Sequence, residues 1–149
     1  MITIKKLGYD EIKDSEQIRK EMLCEVNNIP EKAIDSHFMY LTNKCFASDD
    51  TLTALAYDGD KCVGCATICF IHVLPTYSHP TGLRGHLMNV YVKELYRRQG
   101  IARDMVKILI AHAKDRGATY ISLDSTESGR ALYESLGFAP ATETMGLNL

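Results

Sequence analysis

Arg97-Arg98-Gln99-Gly100-Ile101-Ala102-Arg103 is the stretch of this chain whose residue types and spacing best suit ligand chemistry. Gly100 and Ala102 carry minimal side chains at what reads as a helix start, so an anion can approach the free N–H groups and the positive end of the dipole. Arg97, Arg98 and Arg103 add three positive charges. The spacing is not the G-x-x-x-x-G-K-[ST] of a Walker loop, nor the G-x-G-x-x-G of a dinucleotide turn. Ile101, Met105, Ile108, Leu109 and His112 follow at helical intervals, giving the helix one apolar face. The physics of the segment is that of a phosphate-binding turn.

Residues 97–102 resemble the [QR]-x-x-G-x-[GA] acetyl-CoA signature of the GNAT N-acetyltransferase superfamily. Two flanking blocks extend the resemblance: Val90-Tyr91-Val92 upstream, and Ala131-Leu132-Tyr133-Glu134-Ser135-Leu136-Gly137-Phe138 downstream. The N-terminal half resembles the family only in its pattern of elements. The resemblance implies acetyl-CoA as co-substrate, with the pyrophosphate on the amides of Arg98, Gln99, Gly100, Ile101, Ala102 and Arg103. The pantetheine arm would pair with the backbone edge of Val90, Tyr91 and Val92 as an added strand, and an amide at or beside Val90 would polarise the thioester carbonyl. Tyr133 stands at the family's general-acid position, where a phenol protonates the departing thiolate. Without the family it reads as a half-buried helix aromatic. Two departures occur. Thr126 stands where many relatives have Asn, its hydroxyl or that of Ser125 being the remaining group to reach pantetheine, and Glu94 stands where many have Pro.

An acceptor amine must attack as the free base. An alkyl amine of pKa near 10.4 costs about 4.6 kcal/mol to deprotonate at pH 7. His86, Asp124 and Glu94 are the available bases, with His72 and His79 further off. His86 precedes Val90 by four residues, which on a regular strand puts both on one face. Its imidazole suits a base acting through a water. The plainer reading is a hydrogen-bonded strand histidine.

The elements that must position these groups follow in order. Ile2 and Ile4 alternate with polar residues as a short strand. Asp10–Val26 reads as a helix, broken at Asn27-Asn28-Ile29-Pro30, and Glu31–Phe46 as a second. Thr51–Tyr57 and Cys62–Val73 are strands about an Asp58-Gly59-Asp60 turn. The loop Leu74–Gly82 is long enough to be functional, and closing the acceptor side would favour a small substrate. Gly85–Lys93 is the central strand, Arg116-Gly117 caps the long helix, and Thr119–Asp124 is the next strand. Ser128–Leu136 is a short helix. Phe138 opens a last strand pairing with Thr142–Leu147. This order predicts a single mixed α/β (α+β) domain over 1–149. The resemblance implies a mixed sheet splayed between strands 4 and 5 and flanked by about four helices.

Composition narrows the classes. Apolar residues make up 46% and charged residues 24% of 149, which suffices for one core. A net charge of −2 argues against a nucleic-acid surface. There is no apolar run long enough for a membrane span, and MITIKKLGYD has no signal-peptide pattern, so no membrane association and a cytoplasmic location are expected. Cys62-x-x-Cys65 falls within a strand, where residues three apart face opposite sides, so the five cysteines read as buried free thiols and no metal is expected. The expected partner is a small-molecule primary amine. The alternatives are a protein N-terminus or lysine as acceptor, and a non-catalytic acetyl-CoA-binding module. The apolar tail Phe138–Leu149 offers a surface for a homodimer.

Overall fold

The computed structural model describes every residue except Thr142. Its elements are β1 (Ile2–Lys6), α1 (Ile12–Asn27), α2 (Ser36–Phe46), β2 (Thr51–Asp58), β3 (Lys61–His72), β4 (Leu83–Val92), α3 (Ile101–Asp115), β5 (Tyr120–Leu123) and α4 (Arg130–Ser135). The strands lie in sequence order in one sheet; β1 to β4 run antiparallel and β5 joins β4 in parallel. The mixed α/β fold is the expected one.

Local chemistry sets the boundaries. α1 stops where Asn28 turns left-handed at φ 51 and its N–H reaches the Cys24 carbonyl. α2 begins at Ser36 rather than Glu31, because the Asp35 carboxylate accepts from the Phe38 amide (2.7 Å) and needs an extended backbone at its own position to do so. Residues 31–33 form only a short 3-10 turn.

α3 packs Ile101, Met105, Val106, Leu109 and Ala113 against Ala54, Val63, Ile68 and Leu87 on one face of the sheet. Each large buried side chain there contributes about 1.5–3 kcal/mol. α1 covers the other face, where Ile18 meets Leu55, Tyr57 and Cys65.

Two bulges revise the strand-parity readings. Between Cys65 and Thr67, two steps of β3 span three of β4, Tyr91 to Met88. The extra residue is Asn89, at φ 58. It restarts the alternation, so Leu87 and Val90 both pack on the α3 core whereas Tyr91 joins the α1 cluster. His86 and Val90 therefore face opposite sides of the sheet, not the same one. A second bulge, at Ala56/Tyr57 of β2 against Cys62–Gly64, puts Cys62 and Cys65 in the same cluster, against the expectation of opposite faces. All five cysteines are free; Cys65 is buried, Cys24, Cys62 and Cys69 are partly buried, and Cys45 is exposed.

The expected last strand pair does not form. Phe138 and residues 143–147 carry no strand, and Thr142 lies outside the described residues. Pro140 removes a ladder donor, and Met145, Leu147 and Leu149 are fully exposed, so no apolar face anchors a hairpin there.

Candidate active site

β4 and β5 are hydrogen-bonded only from Arg84↔Tyr120 to Leu87↔Leu123. β5 then ends, and β4 continues to Val92 with no partner on that side among the described residues. The sheet thus opens between strands 4 and 5, leaving a free backbone edge at residues 88–92. Val90 and Val92 turn their side chains into the α3 core, and Tyr91 packs under α1. Only the backbone of these three residues faces the opening.

At the end of β4 the chain enters the basic turn. Arg98 sits at φ 63 and Gly100 at φ 80, the two left-handed residues that fold the turn back onto α3. Asp104 is the first helical residue whose amide finds a backbone acceptor, the Gly100 carbonyl (3.0 Å). The amides of residues 98 to 103 have none among the described residues. A Cβ built on Gly100 would meet nothing within 4 Å, so the space over these amides is open. Such a nest at a helix N-terminus fits a pyrophosphate.

The side chains divide. Arg97 is engaged elsewhere: its Nε donates to the Val92 carbonyl (2.7 Å) and its Nη2 pairs with Glu25 on α1 (2.7 Å). It ties the end of β4 to α1. Arg103 donates to the Ser135 hydroxyl (2.9 Å), linking α3 to α4. Arg98 makes no ion pair among the described residues and is the free cation of the turn. Gln99 reaches only weakly back to the Leu95 carbonyl (3.5 Å). Thr126 caps the 3-10 turn that leads into α4, its Oγ1 accepting from the Gly129 amide (3.2 Å). The expected hydroxyl thus also helps position α4.

Tyr133 lies on α4, edge-on to Phe138 at 5.9 Å between centroids, and its hydroxyl has no partner among the described residues. Burial raises its pKa, so the phenol stays a proton donor well above neutral pH. His86 shares a hydrogen bond with Ser122 Oγ through Nδ1 (2.8 Å), and its Nε2 is 4.0 Å from Asp124. A cleft of about 540 Å³ along β5 is lined by both His86 and Tyr133, together with Asp124, Ser125 and Arg130. The structure thus brings the candidate base and the candidate acid to one cavity, from opposite faces of the sheet and 47 residues apart in sequence (133 − 86).

The loop between β3 and β4 folds on itself, Thr76 and His79 exchanging backbone hydrogen bonds. His79 Nδ1 meets Thr119 Oγ1 (3.0 Å), and Thr81 Oγ1 donates to the Gly117 carbonyl (2.7 Å). This pins the loop at the start of β5, the end of the sheet away from the basic turn. Sequence reasoning missed Ser122 as the partner of His86, and it missed the left-handed Asn89. No local signal announces the first; an Asn inside an apolar strand is a weak hint of the second.

Among the described residues no helix is long and apolar enough to cross a membrane, and no cluster of metal-ligating side chains occurs.

Residues 16–138 match the family model described as the Acetyltransferase (GNAT) family. A crystal structure of a predicted acetyltransferase with acetyl-CoA from Clostridium acetobutylicum is similar over 99% of this chain and 96% of that one, with TM-score 0.87 and 30% identity. N-alpha-acetyltransferase 30 of Schizosaccharomyces pombe is 28% identical over 141 residues, 93% of this chain and 84% of that protein. Glucosamine 6-phosphate N-acetyltransferase of Trypanosoma brucei brucei is 28% identical over 89 residues, 60% of this chain. The match spans 58% of that relative's length, and a match to N-acetyltransferase 8 of Homo sapiens, 38% identical over 58 residues, spans only 26%.

Proposed function

The chain belongs to the GNAT acetyltransferase family, and from that premise we propose that it transfers acetyl from acetyl-CoA to the primary amine of a small molecule. One arrangement carries the reading. Three features follow one another along the chain: the cleft shared by His86 and Tyr133 where β4 pairs with β5, the unpaired edge of β4 beyond it, and the turn with the unbonded amides of residues 98–103 and an open Gly100.

Acetyl-CoA, when bound, supplies an acetyl group activated as a thioester. The turn amides and Arg98 hold its pyrophosphate, each charge-assisted bond contributing about 1.5–3 kcal/mol. The β4 edge orients the amide-rich arm, and a backbone N–H at the Asn89 bulge serves as oxyanion donor. His86 takes the proton of the acceptor amine, through a water, with Ser122 fixing its ring. Tyr133 gives its proton to the leaving sulfur. A phenol raised by burial is fully protonated when that demand arises.

The test is release of free CoA thiol from acetyl-CoA across a panel of small amines, with CoA affinity measured separately. Turnover with a small amine at catalytic enzyme concentration supports the reading. CoA binding without turnover on any amine leaves a binding module. Turnover confined to peptides carries the second reading, a protein N-terminal or lysine acetyltransferase, which the similarity to an N-alpha-acetyltransferase along 93% of the chain favours.

A further inference from the structure

Four arginines make no ion pair among the described residues. Arg98 and Arg103 flank the turn over α3. Arg19 and Arg84 lie on the opposite face of the sheet, where the pyrophosphate turn has no use for them.

Arg19 is half-buried on α1. Its Nη1 donates to Asn89 Oδ1 (2.9 Å), and Asn89 Nδ2 donates in turn to Thr67 Oγ1 (3.0 Å), itself 2.8 Å from Thr53 Oγ1. Every one of these partners is neutral. The nearby acids of α1 are engaged with other groups: Asp14 with the Tyr57 hydroxyl (2.8 Å), Glu16 with Lys20 (3.4 Å), Glu21 with Lys93 (3.2 Å) and Glu25 with Arg97 (2.7 Å). Burial pulls the guanidinium below its ordinary pKa, and the groups facing it from β3 and α2 are the thiols of Cys65, Cys69 and Cys45. Arg84 is two residues before His86 on a regular stretch of β4, hence on the same face, and its guanidinium lies 5.8 Å from the centre of the Tyr120 ring. Its Nε is buried with no hydrogen-bond partner. His86 pairs in register with Cys69, one of the thiols facing Arg19, so it sits on this face; along β4 it falls between Arg84 and Asn89, the residue Arg19 bonds.

A partly buried cation with only neutral partners is a costly arrangement unless a ligand supplies the counter-charge. Two of them lie on the candidate base's face of the sheet. Building on the acetyl-transfer reading, we propose that the acceptor amine also carries an anionic group, a carboxylate or a phosphate, and that Arg19 and Arg84 hold it so that the amine meets His86. The cofactor's phosphates are served on the other face, so this pair sets acceptor specificity.

The probes are two matched pairs, glycine against glycinamide and phosphoethanolamine against ethanolamine. Binding is read by calorimetry on CoA-saturated protein, and transfer by thiol release. In each case the supporting pair shows its anionic member preferred by about tenfold to hundredfold, the usual worth of a charge-assisted contact. Which pair responds distinguishes carboxylate from phosphate. Arg19→Gln and Arg84→Gln each reduce the preference, while Arg19→Lys, which keeps the charge, retains part of it; CoA affinity stays unchanged in all three. Equal binding of charged and neutral members in both pairs overturns the proposal, even where neutral amines are acetylated and the acetyl-transfer reading stands. A preference that survives both Gln variants also overturns it. Failure of CoA to bind at all strikes the transfer reading instead, and calorimetry on the free protein then still reads the preference.

Discussion

The turn over α3 and the sheet face under α1 both present unpaired arginines, but they are put together in opposite ways. The turn is contiguous: two left-handed residues and a helix start, all within residues 98–103. The opposite face draws Arg19 from α1, Asn89 and Arg84 from β4 and Thr67 from β3, with contacts spanning up to 70 residues. The turn offers backbone donors, which recognise phosphate wherever it is attached. The face offers side chains held by a bulge, which can be changed one at a time. A shared co-substrate suits the first construction and a particular acceptor suits the second.

The largest way to break this contrast is at Gly100. Gly100→Trp puts a bulky side chain into the open space over the amides at a position of φ 80. It should abolish CoA binding by calorimetry while circular dichroism shows an intact fold. Unchanged CoA affinity in that folded variant would remove the turn from the cofactor site.

Next is the acid. Tyr133→Phe removes one hydroxyl and keeps the edge-on packing with Phe138. Single-turnover acetyl transfer should slow by roughly 10² to 10⁴, about 2.7–5.4 kcal/mol of barrier, with CoA affinity nearly unchanged. Because burial raises the phenol's pKa, it remains protonated and the parent rate shows no loss from its ionisation across pH 6 to 9. A variant equal to the parent throughout that range would make Tyr133 structural.

The Asn89 bulge separates the two regions most sharply. Asn89→Gly keeps the backbone at φ 58 but loses the bonds to Arg19 and Thr67, an expected cost of about 2 kcal/mol in urea denaturation. Asn89→Ala adds left-handed strain, about 1 kcal/mol more. Both should leave CoA binding alone and weaken acceptor selection. If the two variants are equally stable, the bulge does not impose the conformation described.

The smallest expected effect is on stability at high pH. Burial pushes the Cys62 thiol up to about 11 from an ordinary value near 9. A group raised in the fold contributes fully below its unfolded pKa and loses that contribution as pH rises through the folded one. Stability should therefore hold up to about pH 9 and decline between 9 and 11, and the decline should shrink in Cys62→Ala. An identical pH profile in that variant would place the thiol in water.

The local geometry of the candidate site was legible in the sequence where its determinants are local. Gly100, Ala102 and the arginines lie within one turn, and backbone donors depend on little else. The partners of two other candidates were not legible: Arg97 pairs with Glu25, 72 residues earlier, and the Thr126 hydroxyl caps a turn. The last strand was misjudged because alternation near Met145 and Leu147 resembles a strand, although no face of the fold buries those side chains.

By itself the sequence determined the order of elements as far as α4, the α3 amphipathy and the small-residue helix start at Gly100, because propensity and period act over a few residues. The tertiary structure alone decided which face His86 occupies and what Arg19 meets. A strand has period two, so one extra residue reverses every side chain beyond it. Whether that residue is accommodated at Asn89 depends on Thr67 and Arg19 arriving from elsewhere in the chain.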